Sequence, residues 1–182
     1  ESARAFRELG DEHYAMLATW VLAWTCRELG DRERSRALTE ENLRRSRALG
    51  NERVEAMSLD ALAMLAIDEG RLQDALAMLK EAYRIHCDVG ERLGIALDLC
   101  RFARALAAAG RAGTAARLLS TGEVLREEIG ATVESWVAME AKLEETLAAV
   151  RTQLDDAAFA EAWEQGRALT AGEAVALALD SL

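Results

Sequence analysis

The sequence predicts an all-α protein assembled from antiparallel helix pairs, and three observations predict it. Gly10, Gly30, Gly50, Gly70, Gly90, Gly110 and Gly130 stand at a strict interval of twenty. The segments between them carry apolar residues at helical spacing, with no strand-like alternation. Proline is absent, alanine and leucine are abundant, and runs of Val, Ile and Thr are scarce, a balance that favours helix over strand. Glycine adopts the left-handed backbone that commonly closes a helix, so each of these positions marks a helix end and a tight turn. Asp11, Asp31 and Asn51 follow as good starters for the next helix. Helices of about 17 residues joined by such short turns must run antiparallel to their neighbours.

The repeat unit is longer than the glycine interval. The word "RELGD" occurs at Arg7 to Asp11 and again at Arg27 to Asp31, but a shift of twenty superposes helices of opposite direction. A shift of forty matches far more. It pairs Leu9-Gly10-Asp11-Glu12 with Leu49-Gly50-Asn51-Glu52 and with Val89-Gly90-Glu91-Arg92. Ala23, Ala63 and Ala103 then coincide, as do Leu22, Leu62 and Phe102, and Leu17, Met57 and Leu97. The expected architecture is a right-handed α-solenoid of helix pairs with a period of about forty residues.

Taken in order, residues 1–10 read as the end of a truncated repeat, because "ESARAFREL" aligns with the helix end "ENLRRSRAL". The chain is therefore expected to be cut from a longer protein. Repeats follow at 11–50, 51–90 and 91–130. Their first helices are predicted over 11–29, 51–69 and 91–109, their second over 32–49, 72–89 and 112–129. Residues 131–182 depart from the pattern and read as divergent capping helices, as terminal repeats must close an apolar end. A long helix is predicted from Trp136 to Gln153, and another starts with Asp155 or Asp156 as cap. A short final helix has Thr170 and Glu173 as a capping box. Residues 1–182 are thus read as a single helical-repeat domain.

Composition bounds the function. The net charge of -10 argues against a sequence-independent grip on nucleic acid, which needs a basic surface, and against an anionic membrane. Cys26, Cys87 and Cys100 are odd in number and lack CxxC spacing, so free thiols in a reducing cytoplasm are the plain reading. No stretch approaches the roughly 18 apolar residues of a membrane span, and no signal peptide opens the chain. Lys80 and Lys142 are the only lysines among 22 basic residues, an arginine bias that points to a GC-rich bacterial genome.

Within the second repeat, "LDALAMLAIDEGRLQDALAMLKEAYRI" resembles a tetratricopeptide repeat. The family's large, small and glycine positions are held by Leu59, Leu62, Ala63, Gly70, Ala75, Leu79 and Ala82. The third repeat keeps Leu99, Phe102, Ala103, Gly110, Ala115 and Leu119 but places Gly122 where alanine is usual. The first keeps Leu22, Ala23 and Gly30, while its second helix carries Ser35, Thr39 and Asn42. The family's later proline is absent and the period exceeds its thirty-four residues, which marks long variant repeats. Farther on, "AAFAEAWEQGRALTAGEAVALAL" resembles the segment that closes the helical-repeat region of bacterial signal-transduction ATPases with LuxR-type helix-turn-helix domains. That resemblance covers about Leu154 to Leu179 and implies an ATPase domain and a DNA-binding domain in the full-length protein. This chain itself contains neither a GxxxxGK[ST] loop nor a helix-turn-helix.

Little in the sequence suggests chemistry. His13 and His86 are the only histidines. A metal site at His86-Cys87 would need two further ligands, and adjacent helical residues diverge by about 100°. No partner is at hand to orient a Cys-His nucleophile. The dense Arg/Glu pairing at i+3 and i+4 reads as solvated helix faces. No catalytic residue, metal or cofactor is expected.

Binding is the better prospect. In tetratricopeptide arrays the first helix of each pair lines the concave groove. The corresponding positions are Trp20, Trp24 and Arg27, then Asp60 and Met64, then Arg101 and Arg104. Aromatic and arginine side chains carry much of the energy at interfaces. Trp20 and Trp24 fit a groove or a core equally, whereas Trp136 and Trp163 read as packing residues of the cap. The expected function is a non-catalytic interaction or sensor module of a bacterial transcriptional regulator, binding a protein partner or a small effector. No direct nucleic-acid or membrane contact is expected, and a homodimer is open. A structural oligomerisation scaffold or a general peptide-binding adaptor is the alternative.

Overall fold

The computed structural model describes residues 1–130 and 137–181, and among them the chain is all α. Ten helices follow one another: α1 (Ser2–Glu8), α2 (Glu12–Glu28), α3 (Arg32–Leu49), α4 (Glu52–Asp68), α5 (Leu72–Val89), α6 (Arg92–Ala108), α7 (Ala112–Ile129), α8 (Val137–Gln153), α9 (Asp156–Arg167) and α10 (Ala171–Asp180). Each of α2, α4 and α6 begins forty residues after the last, as do α3, α5 and α7. The expected first and second helices of each pair are therefore present within a residue or two. Trp136 lies outside the described residues, and the helix expected from it is seen from Val137.

Local chemistry explains the punctuation. Gly50 closes α3 at φ 64°, ψ 29°, with its own N–H on Arg47 O and the following Asn51 N–H reaching back to Ser46 O at 2.8 Å. A β-carbon would be strained in that conformation. Asn51 then caps α4 by accepting from Val54 N–H at 3.2 Å, as Asp11 does from Tyr14 and Asp31 from Arg34. Asp155 is the residue that caps α9, accepting from Ala158 N–H at 2.8 Å. Thr170 and Glu173 form the reciprocal capping box of α10.

Contacts divide the chain into two compact units, Glu1–Val89 and Gly90–Leu182. In the first, successive helices α1 to α5 pack against their neighbours, and α2 also meets α4. Its tightest layer lies between α4 and α5, where Leu59, Leu62, Ala63, Ala75, Leu79 and Ala82 are all buried. Small Ala63 and Ala75 allow the backbones to approach, and Leu62 and Leu79 fill the remaining space. The α3 helix is different. Its buried residues are Ser35, Thr39, Asn42 and Ser46, all polar, at a 4-3-4 spacing that marks one face.

In the second unit α6 and α7 pair around Leu99, Phe102, Ala103, Ala115 and Leu119, all buried. α7 also packs closely on α9, and α10 packs on α6 and α7. Gly166 makes the α7–α9 seam possible, since a β-carbon there would lie 2.3 Å from Arg117 O. Thr121 Oγ1 donates to Gly166 O at 2.8 Å and Ser120 Oγ to Trp163 O at 2.7 Å across the same seam. Trp163 is half-buried, stacked on Phe159 with ring centroids 5.4 Å apart, and Arg151 lies over the Phe159 ring.

Candidate functional site

The helical spacing of Trp20, Trp24 and Arg27 puts them on one face of α2, and two bonds fix that face alongside α4. Trp20 Nε1 donates to Met57 O at 3.3 Å, so this half-buried indole is held by its polar edge. Two turns on, Arg27 sends Nε and Nη2 to Asp68 Oδ2 at 3.1 and 2.8 Å. The Arg27 and Asp68 side chains are only 11% and 12% exposed. This ion pair is thus largely desolvated and serves as a positioned strut between the helices rather than a mobile surface charge. Arg27 Nη1 also reaches Glu28.

Trp24 lies one turn from each of these struts, and among the described residues its indole makes no hydrogen bond. It is 39% exposed, which leaves a large aromatic surface beside the fixed Trp20 and Arg27. Met64, its counterpart forty residues on, is half-buried on α4, whereas Asp60 is buried below the surface at 4% exposure. The first unit therefore brings Trp20, Trp24, Arg27 and Met64 to one α2–α4 face. Tyr14 and Val21 add further exposed apolar surface on α2. In the second unit Arg101 Nη1 binds Asp98 Oδ1 at 3.1 Å, and Asp98 is fully buried. Arg104 is half-buried one turn farther along α6.

The nucleophile candidates are placed apart from any such face. Cys26 is buried, and Cys87 is exposed. Cys100 sits in the α6–α7 packing, 3.6 Å from where a β-carbon on Gly122 would be. Burial pushes its thiol up to about 11, outweighing the nearby Arg101 charge. A thiol so shifted stays protonated at neutral pH and is a poor nucleophile. His86 is buried on α5 while Cys87, the next residue, points to solvent. These two side chains do not share a site.

The sequence shows polar positions on α3, but not the buried seam that they form. Ser35, Thr39, Asn42 and Ser46 occupy the places that Ala75, Leu79, Ala82 and His86 hold forty residues later. Thr39 Oγ1 returns to Ser35 O and Ser46 Oγ to Leu43 O, while Asn42 Nδ2 turns to Ser58 Oγ on α4 at 3.4 Å. Among the described residues Asn42 Oδ1 is buried without a hydrogen-bond partner. The signal was present at Ser35, Thr39 and Asn42, polar residues at helical spacing where small or apolar ones recur.

Comparison with protein-family models, with curated proteins and with solved structures finds no match to this chain. The class follows from the fold itself: an all-α helical bundle of strongly packed neighbouring helices, compatible with a protein–protein interaction module. No helix among the described residues is long and apolar enough to cross a membrane.

Proposed function

We propose that the chain is a non-catalytic interaction module of tetratricopeptide-like design, acting in the cytoplasm within a bacterial transcriptional regulator or related signalling ATPase. It engages a protein partner or effector along the α2–α4 face and biases the activity of attached ATPase and DNA-binding domains. The observation that carries this reading is Trp24, left 39% exposed between two neighbours that are each pinned to α4. A rigid aromatic on a fixed frame loses little entropy on binding, which is the property of an interface anchor. The forty-residue helix pairs and the resemblance of Leu154 to Leu179 support the regulatory setting. Coupling requires that the partner prefer one arrangement of the chain over another.

The test is Trp24→Ala in the full-length protein. Partner binding and regulatory output should fall by tenfold or more, while thermal stability stays near that of the parent. Unchanged regulation with an intact fold would refute the assignment. A self-association scaffold is the second reading, favoured by Tyr14, Val21 and Leu29, which are 54%, 50% and 81% exposed. Sedimentation velocity separates them: the scaffold requires a concentration-dependent dimer that Val21→Glu dissolves, whereas the interaction module does not.

A further inference from the structure

Within the first unit, α3 is held by other means than α5, the helix that corresponds to it forty residues later. On α5 the side chains of Ala75, Leu76, Leu79, Ala82 and Ile85 are buried. The same places on α3 carry Ser35, Arg36, Thr39, Asn42 and Arg45. Apolar packing residues have given way to small polar ones and two arginines. Leu38 and Leu43 are half-buried, and Leu43 packs against the apolar cluster of Ala56, Leu59, Ala82 and Ile85.

The buried polar residues do little to dock the helix. Thr39 Oγ1 donates to Ser35 O at 2.8 Å and Ser46 Oγ to Leu43 O at 3.0 Å, so both hydroxyls are spent within α3 itself. Asn42 Nδ2 crosses to Ser58 Oγ on α4, but at 3.4 Å that bond is long. The charged bonds that leave α3 come from arginine. Arg45 pairs with Glu12 on α2, and Arg36 with Glu69 at the end of α4. Arg47 reaches Glu55 on α4 at 2.9 Å and Glu81 on α5 at 2.8 Å. In each pair the cation is on α3 and the carboxylate on the element it meets. Arg36 and Arg45 stand where α5 carries buried Leu76 and Ile85. The side chains of these pairs are between 16% and 47% exposed, so dissolved ions reach them. Salt screens charge but leaves apolar burial in place. The two helices should therefore part company as salt rises.

We propose that α3 is an ionically latched helix that opens away from α2 and α4 as a unit while α4 and α5 stay paired, and that ionic strength sets how often it opens. Opening uncovers the edge of the α4–α5 cluster that Leu43 covers, and it frees Arg36, Arg45 and Arg47 from their carboxylates. Elements of low local stability are the ones on which conformational change draws. Once released, α3 exchanges its amide protons, because an isolated helix of this length is marginal in water. This latch belongs to α3 and does not depend on the function proposed for the α2–α4 face.

The test is native-state hydrogen exchange of the whole chain, comparing the amides of α3 with those of α5 in the same sample. Raising sodium chloride from about 0.1 M to about 1 M shortens the screening length from about 10 Å to about 3 Å. Each exposed pair shifts the opening equilibrium by about twofold, so four together give about tenfold. At the lower salt α3 should exchange about tenfold faster than α5, and at the higher salt the gap should widen by about tenfold again. The double substitution Arg36→Leu with Arg45→Ile, which installs the residue types of α5, should slow exchange in α3 and cut its salt response to about fourfold. Arg47→Gln removes two pairs at once and should speed exchange in α3 about fourfold at the lower salt, with α5 unchanged within about twofold. The proposal is overturned if α3 exchanges as slowly as α5, if salt speeds the two equally, or if both variants keep the parent's rates and salt response.

Discussion

Two glycines inside helices of the second unit should respond in opposite directions to the same added methyl group. At Gly166 a β-carbon would sit 2.3 Å from Arg117 O, 2.7 Å from Arg117 Cα and 2.8 Å from Ser120 Cβ. The first two contacts are with backbone, which cannot rotate aside, so α9 must retreat by roughly 1 Å to restore ordinary contact. That retreat strains the bonds from Thr121 to Gly166 O and from Ser120 to Trp163 O. Overpacking of about 1–3 kcal/mol and the weakening of two hydrogen bonds give an expected loss of about 2–4 kcal/mol for Gly166→Ala. At Gly122 the nearest atoms, Ala96 O and Leu99 Cβ, would both be 3.5 Å away, an ordinary contact. Gly122→Ala therefore gains the helix preference of alanine, about 0.5–1 kcal/mol. Urea unfolding followed by circular dichroism measures the two variants against the parent. A Gly166→Ala chain as stable as the parent would refute the close approach of α7 and α9, and a Gly122→Ala chain that loses stability would refute the room between α6 and α7.

Other outcomes follow from the same geometry. Leu79→Ala removes a fully buried side chain between α4 and α5 and should cost about 2–5 kcal/mol in denaturant unfolding. Asp155→Ala deletes the cap on Ala158 N–H and should cost about 1 kcal/mol by the same assay. In thiol labelling of the native chain Cys87 should react first, Cys100 more slowly because its thiol is pushed up to about 11, and buried Cys26 only on unfolding. Glu173 is held below the usual carboxylate value of 4.5 by hydrogen bonds from the Thr170 backbone and side chain. Its contribution to α10 is thus fully present above pH 4.5 and is lost as pH falls through the lower folded value. Hydrogen exchange of the Thr170 and Glu173 amides should speed up on acidification, and Glu173→Gln should blunt that dependence.

Much of the fold could be read from punctuation. Glycine in the left-handed region, an Asp or Asn cap directly after it, and an apolar face between are local signals. Local signals survive in a single sequence, and so the ends of α2 to α7 were legible. The same holds for the cap at Asp155 and the box at Thr170. The site was legible only in part. Helical spacing gives the face on which Trp20, Trp24 and Arg27 lie. It does not give Asp68 as the partner that turns Arg27 into a strut, nor the burial of Asp60, since these depend on how α2 meets α4 in space. The polar residues of α3 were visible as departures from the repeat. Their meaning, a buried polar seam that reaches Ser58 on α4, needed the packing. Gly166 reads as one glycine among several, and only the distance to Arg117 shows why it is there.

The central claim is that the face carrying Trp24 meets a partner in the working protein. Its most direct test replaces Trp24 with a photo-crosslinking benzoylphenylalanine in the full-length protein and irradiates its own cells, with exposed Lys80 on α5 as the control position. A discrete crosslinked adduct from position 24 and none from position 80 is the result expected. No adduct at position 24, or the same adduct from each position, would contradict the claim.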